Sequence, residues 1–220
     1  MRYTTVIFDL DGTILNTLDD LADSVNYALR KCGYPARSRD EVCAFVGNGA
    51  KKLIERSAPQ GISDEDLNKY HQVFIAHYEK HSAIKTCPYN GIPELLDKLI
   101  SLGVGLGVVS NKPDIAVKPL CDRYFPGVFN TAVGEREKDG IRKKPCPDAV
   151  FEAMEKLGAI PEKTLYVGDS DVDVKTAQNA GIDCAAVTWG FRSREFLKEN
   201  GAVLFADNAD ELFDIIVKNN

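Results

Sequence analysis

Residues 4–13 read TTVIFDLDGT, and this stretch decides the fold. Residues 6–8 are apolar and β-branched or aromatic, which is typical of a short strand buried on both faces of a parallel sheet. Asp9 and Asp11 follow, and side chains two positions apart on an extended chain point to the same side. Two like charges aimed at one place are costly unless a cation or a proton joins them. An Asp-Gly turn that merely ends the strand is the simpler alternative.

Composition bounds the class of protein. The chain has 220 residues, of which 44% are hydrophobic and 27% charged, as in a globular protein with a sizeable core. The formal net charge of −6 argues against binding to nucleic acid or to an anionic membrane surface. No apolar run approaches the ~20 residues of a membrane span, and the N-terminus lacks the apolar core of a signal peptide. The six cysteines include no Cys-x-x-Cys pair, so we expect reduced thiols and a cytoplasmic location.

Helical periodicity replaces the strand pattern after the first motif. Thr17 with Asp20 predicts a variant of the capping box at the start of a first helix. Apolar spacing and caps predict that helices begin near Leu18, Arg39, Ala50 and Ser63. Because residues 15–84 contain four predicted helices and no strand, they predict an inserted helical domain.

Strands and helices alternate in the rest of the chain. Short apolar runs predict further strands at residues 104–109, 129–133, 164–167, 183–187 and 203–205. This alternation predicts an α/β fold: a doubly wound, Rossmann-like parallel sheet core with an inserted all-helical cap domain. We assign residues 1–15 and 86–220 to the core domain and residues 16–85 to the cap domain. Ligands of such sheets bind beyond the carboxyl ends of the strands.

The three histidines, His71, His77 and His81, fall in one polar helical stretch. His77 and His81 are four residues apart, a spacing found in some metal pairs. No Glu follows in the metalloprotease register, so a solvated helix face is favoured.

Two later segments place a hydroxyl and a cation after predicted strands. Ser110 precedes a helix, where its hydroxyl and the first N–H groups could hold a phosphate oxygen; a plain helix N-cap is the alternative. Arg142, Lys143 and Lys144 form a basic run before Pro-x-Pro, and a lysine offers a compact positive charge that suits developing negative charge. A solvated basic loop is the alternative for Lys144, which follows Arg142 and Lys143.

An acidic cluster follows the strand predicted at residues 164–167. Asp169 leaves the strand end, and Asp173 lies one helical turn later on the same side, whereas Asp171 points elsewhere. A helix N-terminus that merely favours acidic residues is the alternative. Carboxylates gathered in one place repel each other unless a cation joins them, and a hard divalent cation such as Mg²⁺ prefers oxygen ligands.

The four segments, in this order, resemble the motifs of the haloacid dehalogenase superfamily of phosphohydrolases. Phe-Asp-Leu-Asp-Gly-Thr is similar to the first motif and Gly-Asp-Ser-x-x-Asp to the fourth. The resemblance implies that Asp9 attacks phosphorus and that Asp11 is the acid and base for the leaving group and the water. It implies Mg²⁺ held by Asp9, the backbone carbonyl of Asp11 and Asp169, with Asp173 supporting this site.

The same resemblance implies the remaining site residues. The implied catalytic residues are Asp9, Asp11, Ser110 and Lys144, and the implied phosphate-binding residues are Gly12, Thr13, Ser110, Asn111 and Lys144. In this interpretation Asp11 needs a raised pKa in order to donate its proton.

Residues 46–56 in the predicted cap domain bear on the substrate. Gly49 lets the backbone approach a ligand at a helix start, where Asn48, Lys51 or Arg56 could receive a small carboxylate. A glycine turn between two cap helices is the alternative. The stretch resembles the phosphoglycolate phosphatase-like branch of the family.

Two positions depart from this branch. Asn16 stands where many members have Asp, and Asn90 where the branch often has Pro. Neither belongs to the predicted chemistry, so they bear on the subgroup rather than on the reaction. Residues 189–192, Trp-Gly-Phe-Arg, also follow a predicted strand, and the sequence assigns no role to them.

The sequence therefore predicts a Mg²⁺-dependent phosphatase that hydrolyses a small phosphorylated metabolite, with phosphoglycolate favoured. Pyrophosphatases, sugar-phosphate phosphatases and phosphomutases share the same core motifs and stay open as alternatives. A non-catalytic binding module is the remote alternative, because such a protein is expected to have lost a motif. We expect a monomer or homodimer with no nucleic-acid or membrane partner.

Overall fold

Two units make up the computed structural model, which describes residues 1–218. The α/β unit comprises Met1–Leu15 and the chain from Pro88 onward, and the helical unit comprises Asn16–Cys87. The chain thus returns to the α/β unit at residue 88, two positions later than the boundary that we assigned from the sequence.

Strands and helices within residues 1–218 have the following bounds. The strands are Thr5–Phe8 (β1), Leu15–Asn16 (β2), Cys87–Pro88 (β3), Gly105–Pro113 (β4), Thr131–Glu135 (β5), Thr164–Gly168 (β6), Asp183–Val187 (β7) and Leu204–Ala206 (β8). The helices are Leu18–Lys31 (α1), Arg39–Phe45 (α2), Ala50–Ser57 (α3), Asp64–His81 (α4), Ile92–Ser101 (α5), Asp114–Tyr124 (α6), Asp148–Leu157 (α7), Asp171–Ala180 (α8), Arg194–Glu199 (α9) and Ala209–Val217 (α10).

The α/β unit is built on a parallel sheet with the order β5-β4-β1-β6-β7-β8. Every neighbouring pair of strands is parallel, as the alternation of strands and helices predicted. The strand order reverses at β1: β4 and β5 are added on one side of it, and β6, β7 and β8 are added on the other side. A crevice at the carboxyl ends of the strands forms at such a reversal, and this is where open α/β sheets bind ligands.

The core of the α/β unit surrounds β1. All four residues of this strand are buried, as expected for a strand covered by helices on both faces. Ile7 packs in one cluster with Val109 and Tyr166 of the two neighbouring strands and with Val150 of α7. This packing fixes β1 between β4 and β6, so the residues that follow these three strands are held on rigid elements.

The helical unit contains α1 to α4, as predicted. Ser38 and Glu41 form a capping box at α2, and Ser63 accepts the backbone N–H of Asp66 at α4. Tyr70, Phe74 and Tyr78 are the buried residues of α4.

The capping box that we predicted for α1 is wrong. Thr17 makes no side-chain cap at this helix. The buried carboxylate of Asp20 instead accepts hydrogen bonds from the backbone N–H groups of Ile84, Lys85 and Thr86. The carboxylate therefore serves the segment through which the chain leaves the helical unit, a partner that local spacing does not reveal.

The prediction of no strand in residues 15–84 also needs correction. β2 pairs with β3 in a two-stranded sheet, and the residue bounds of the two units fall inside these strands. Strands of two residues are too short to show an alternating pattern.

Two histidines of α4 are less solvated than we expected. The His77 ring stacks on Tyr27 on one side and on His81 on the other, and its Nδ1 lies 3.0 Å from the hydroxyl of Ser24. The Nδ1 of His81 lies 2.7 Å from the backbone carbonyl of His77. The His77 ring thus forms part of the packing between α1 and α4, and the His81 ring stacks on it.

Candidate active site

Three neighbouring strands deliver three of the predicted site residues. Asp9 directly follows β1, Ser110 belongs to the last part of β4, and Asp169 directly follows β6. Because these strands are adjacent and parallel, their carboxyl ends meet at the point where the strand order reverses. The α/β unit thus brings together segments that are far apart in the sequence.

Lys144 joins two of the carboxylates. Its Nζ lies 2.9 Å from Asp9 Oδ1 and 2.6 Å from Asp173 Oδ1, and it donates to the hydroxyl of Tyr166 at 3.1 Å. The Lys144 side chain is only 3% exposed. A buried ammonium requires such partners, because an unpaired charge in the interior is strongly unfavourable.

Asn111 holds the backbone of this lysine. Its Oδ1 accepts the backbone N–H of Lys144 at 2.8 Å, and its Nδ2 donates to the carbonyl of Lys144 at 3.2 Å. This contact fixes the loop that carries Lys144 against the end of β4. The phosphate-binding role of Asn111 stays a prediction, and the contact gives its side chain a second task.

Asp173 supports the cluster from the first turn of α8. Its Oδ2 accepts the N–H and the hydroxyl of Ser170, at 3.1 and 2.6 Å, which completes a capping box. Its other oxygen faces Lys144. A carboxylate that is fully buried and bonded on both oxygens is well suited to orient the lysine rather than to meet a substrate.

Asp169 lies against two backbone turns. Its Oδ1 accepts the Thr13 hydroxyl at 3.3 Å, and its Oδ2 accepts the Phe191 backbone N–H at 2.6 Å. Gly12 has a φ of 91°, and a Cβ on it would stand 2.4 Å from Asp169 Oδ2. Only glycine fits this position, because both the left-handed backbone and the approach to the carboxylate exclude a side chain.

The residues around Asp9 fit a metal ion. Carboxylate oxygens of Asp9, Asp169 and Asp173 lie within 4.8 Å of one another. Asp9 Oδ1 is buried, and its approach to the Lys144 ammonium is an ion pair without hydrogen-bond geometry. A buried carboxylate oxygen without a hydrogen bond, among other carboxylate oxygens, is a suitable ligand for a hard divalent cation such as Mg²⁺.

Burial and neighbouring charges shift the pKa values of Asp9, Asp169 and Lys144. Burial, together with the nearby charge of Asp173, raises the pKa of Asp9 to about 7 against the opposing effect of Lys144. Burial and the charges of Asp173 and Asp9 raise the pKa of Asp169 well above its ordinary value. Burial alone would lower the pKa of Lys144, but the carboxylates of Asp173 and Asp9 raise it well above the ordinary value. The negative groups of the site thus exceed the positive charge that Lys144 supplies.

Lys112 is a site residue that the sequence analysis missed. Its Nζ donates to both oxygens of Asp11, at 2.9 and 3.1 Å, and its side chain is only 4% exposed. We had placed the end of the strand at Val109, whereas β4 continues to Pro113 with an irregular register after Val109. In an extended chain, Ser110 and Lys112 lie on the same side of the strand. This relation could not be seen from the sequence because we had ended the strand before both residues.

Ser110 is buried at the end of β4, and its Oγ accepts the backbone N–H of Lys112 at 3.2 Å. α6 begins only at Asp114, with Pro113 as its N-cap residue, so Ser110 is a strand residue rather than part of a helix start. Its hydroxyl is held by a local turn in the same cluster of strand ends.

The cap candidates lie around α3 of the helical unit. Gly49 is the N-cap residue of this helix, with a φ of 83°; Asn48 precedes it, and Lys51 is the second residue of the helix. Arg56 lies in the last turn of α3, where its Nη1 donates to the carbonyl of Phe45 at 3.0 Å. Arg56 is therefore held at the other end of the helix from Gly49. The role of these residues in binding a carboxylate stays a prediction.

Comparison with known proteins gives the family. Residues 6–187 match the model of the haloacid dehalogenase-like hydrolase family, so the chain belongs to this family, as the motifs predicted. A phosphoglycolate phosphatase of Pseudomonas savastanoi pv. phaseolicola is 35% identical over 210 residues, which cover 92% of this chain and 76% of that protein. An N-acetylmuramic acid 6-phosphate phosphatase of Pseudomonas aeruginosa is 30% identical over 226 residues, which cover 98% and 96%.

A solved structure gives the same result for the fold. The crystal structure of a protein from Lactobacillus delbrueckii subsp. bulgaricus aligns with a TM-score of 0.94 at 36% sequence identity and covers 100% of both chains. The family and these relatives together support a phosphoric monoester hydrolase. The α/β fold with its parallel sheet is confirmed by this comparison.

Proposed function

We propose that the protein is a Mg²⁺-dependent phosphatase that hydrolyses a small phosphate monoester through an aspartyl-phosphate on Asp9. The observation that carries this proposal is the meeting of Asp9, Lys144 and Asp169 at one end of the sheet, with Lys144 Nζ 2.9 Å from Asp9. A nucleophilic carboxylate, a lysine for the phosphoryl oxygens and an acidic metal site are the components that phosphoryl transfer from an ester requires.

Asp9, Asp169 and the backbone carbonyl of Asp11 would hold the metal ion. Bound Mg²⁺ would offset the charge of these carboxylates and of the phosphate, which otherwise repel each other. Asp173 belongs to the same acidic cluster, but its oxygens face Lys144 and Ser170. We therefore assign Asp173 to the support of Lys144.

The chain's own residues then perform two displacements. An oxygen of Asp9 attacks phosphorus, the ester P–O bond breaks, and the leaving alkoxide takes a proton from the carboxyl group of Asp11. Water next attacks the phosphorus of the aspartyl-phosphate and gives a proton to Asp11. The Asp9–phosphate bond breaks, which releases inorganic phosphate and restores both aspartates.

Lys144 and Ser110 hold the phosphoryl group during both displacements. The ammonium of Lys144 offsets negative charge on the phosphoryl oxygens, and the Ser110 hydroxyl donates a hydrogen bond to one of them. Thr13, Gly12 and Asn111 complete the proposed phosphate site.

Phosphoglycolate is the substrate that we favour. The phosphoglycolate phosphatase of Pseudomonas savastanoi supports it at 35% identity, and so does a helix start at Gly49 with Lys51 beside it. The relative that is an N-acetylmuramic acid 6-phosphate phosphatase favours a sugar phosphate as the second candidate. Pyrophosphate, and transfer to a sugar as in a phosphomutase, are the further alternatives, and a non-catalytic binding module is the remote one.

A substrate panel tests the proposal. Phosphoglycolate, N-acetylmuramic acid 6-phosphate, a hexose phosphate and pyrophosphate are each incubated with the protein and Mg²⁺, with and without chelator. We expect release of inorganic phosphate, greatest from phosphoglycolate, and its loss on chelation. The Asp9→Asn variant should be inactive, whereas Asp171→Asn, in the first turn of α8, should retain activity. Phosphate release by Asp9→Asn at the wild-type rate would refute the covalent mechanism.

The cellular setting stays a prediction. Within residues 1–218 no helix is long and apolar enough to cross a membrane. We expect a small phosphorylated metabolite as the partner, with no nucleic acid and no membrane, in the cytoplasm, and a chain that is a monomer or homodimer.

A further inference from the structure

The loop after β7 contacts both acidic turns of the site. Trp189 Nε1 donates to the backbone carbonyl of Thr13 at 2.9 Å. Two residues later the backbone N–H of Phe191 donates to Asp169 Oδ2 at 2.6 Å. The hydroxyl of Thr13 in turn donates to Asp169 Oδ1 at 3.3 Å, so the three contacts form a closed ring.

Gly190 lets this loop approach so closely. A Cβ on Gly190 would stand 2.3 Å from Asp169 Cβ and 2.5 Å from the carbonyl oxygen of Gly12. Real Cβ atoms essentially never come so close, and neither of these two atoms is the far end of a flexible side chain. The backbone of the loop therefore packs directly against the backbone of the first motif and the side chain of the fourth.

These contacts determine how Asp169 presents its oxygens. The hydroxyl of Thr13 and the N–H of Phe191 each use one lone pair, and each carboxylate oxygen has two. One acceptor position on each oxygen is left, and rotation of the carboxylate would break one of the two hydrogen bonds. Hydrogen-bond partners of this kind orient metal-binding carboxylates and tune their affinity.

We propose that residues 189–191 form a positioning element of the metal site, with Trp189 and Gly190 as its positioning residues. The element holds Asp169 and the turn at residues 12–13 in the arrangement that binds Mg²⁺. This inference rests on the proposed function, because it concerns the metal ion of that same site. It assigns a role to a segment to which the sequence analysis gave none.

Metal binding by the full-length chain tests the proposal without any substrate. Mg²⁺ is titrated by calorimetry at constant ionic strength into the wild type, Trp189→Phe and Gly190→Ala. Trp189→Phe keeps an aromatic ring and removes the N–H donor. Gly105→Ala in β4 is the matched control, because its new Cβ would meet its nearest neighbours at 3.7 Å or more.

We expect both variants to bind Mg²⁺ about tenfold or more weakly than the wild type, and the control to bind as the wild type does. In phosphatase assays the concentration of Mg²⁺ for half-maximal rate should rise by the same factor in Trp189→Phe, while kcat at saturating Mg²⁺ recovers. Because Trp189 is the single tryptophan of the chain, wild-type fluorescence should also change as Mg²⁺ binds. A residue that only stabilises the fold would lower Tm and leave the Mg²⁺ dissociation constant unchanged.

Trp189→Phe decides the outcome if Gly190→Ala does not fold. An unchanged Mg²⁺ dissociation constant in Trp189→Phe overturns this inference and leaves the proposed phosphatase intact. A wild-type chain that binds no Mg²⁺ overturns both the inference and the metal dependence of the proposed function. The two failures are thus distinguished by the wild-type titration alone.

Discussion

Each of the two aspartates of the first motif has its own lysine. Lys144 lies 2.9 Å from Asp9, and Lys112 lies 2.9 Å from Asp11. Both lysines are nearly fully buried. Removal of either aspartate would therefore leave a buried ammonium without its counter-charge, which is strongly destabilising. The two pairs give the two aspartates separate surroundings.

Replacement of Lys112 should show whether its contact with Asp11 matters for catalysis. We expect Lys112→Met to lower kcat by about 10²-fold, because a misplaced acid–base group costs about this much. The measurement is the steady-state rate of phosphate release with saturating Mg²⁺. Lys118→Met is the matched control, since this exposed lysine pairs with Asp114 on α6. A Lys112→Met variant as fast as that control would remove Lys112 from the mechanism.

The places of single residues were predictable where a motif has a fixed order and unpredictable where a contact is made across the sheet. Asp9, Lys144 and Asp169 each occupy a position that the order of the four motifs defines, and the structure brings them together. Lys112 stands in one of these motifs, but its partner Asp11 is 101 residues away. Only the pairing of β1 with β4 makes that contact visible.

Elements were predictable where their end signals are local. The start of α3 and the bounds of β7 agree with the sequence, because glycines mark them within a few residues. β2 and β3 left no signal, since two-residue strands show no period. Asp20 was assigned to the N-terminus of α1, yet it binds a segment 64 residues away.

Loss of Asp20 should weaken the helical unit. Four donors of residues 84–86, the three backbone N–H groups and the Thr86 hydroxyl, point at its buried carboxylate. We expect Asp20→Ala to lower the free energy of unfolding by about 3 kcal/mol, because these donors would be left without an acceptor. Denaturant unfolding measures the change, and hydrogen exchange should show lost protection at residues 84–86.

The neighbouring residue Asp19 provides the control for that experiment. It is an exposed partner of Arg39, and such surface pairs contribute about 0–1 kcal/mol. Equal stability of Asp20→Ala and Asp19→Ala would mean that the return segment does not depend on the Asp20 carboxylate.

The stacked histidines of α4 should make the helical unit sensitive to acid. Burial, followed by the charge of His81, lowers the pKa of His77 below its ordinary 6.5; Asp23 opposes this and Arg30 adds to it. The folded state therefore favours neutral His77. This stabilisation is fully present above pH 6.5 and is lost as the pH falls through the lower folded-state pKa.

Unfolding at about pH 7.5 and about pH 5.5 measures this effect, since the ordinary histidine pKa lies between them. We expect the wild type to lose stability at the lower pH and His77→Gln to lose less. His71, whose pKa burial also lowers, should leave a residual loss of the same sign in the variant. Identical losses in the two proteins would show that His77 does not titrate within the stack.

At the scale of the whole molecule, the strand order gathers negative charge at one end of the sheet. The net charge of −6 is modest for 220 residues, yet carboxylates of Asp9, Asp169 and Asp173 lie within 4.8 Å of one another. Their crowding at the reversal of strand order costs stability in the metal-free protein, as the raised pKa values of Asp9 and Asp169 show.

Bound Mg²⁺ should therefore stabilise the whole protein. A ligand at about 100 times its dissociation constant contributes about 2.7 kcal/mol to the folded state, which corresponds to a rise in Tm of roughly 5–10 °C for a chain of this size. Calorimetric or fluorescence melting with Mg²⁺ and with chelator measures the difference at equal ionic strength. Asp169→Asn, which loses a charged ligand, should show little of this rise, and Asp171→Asn should show all of it. An equal rise in wild type and Asp169→Asn would place the Mg²⁺ outside the cluster at the strand ends, and a site elsewhere could not serve a phosphate held by Lys144.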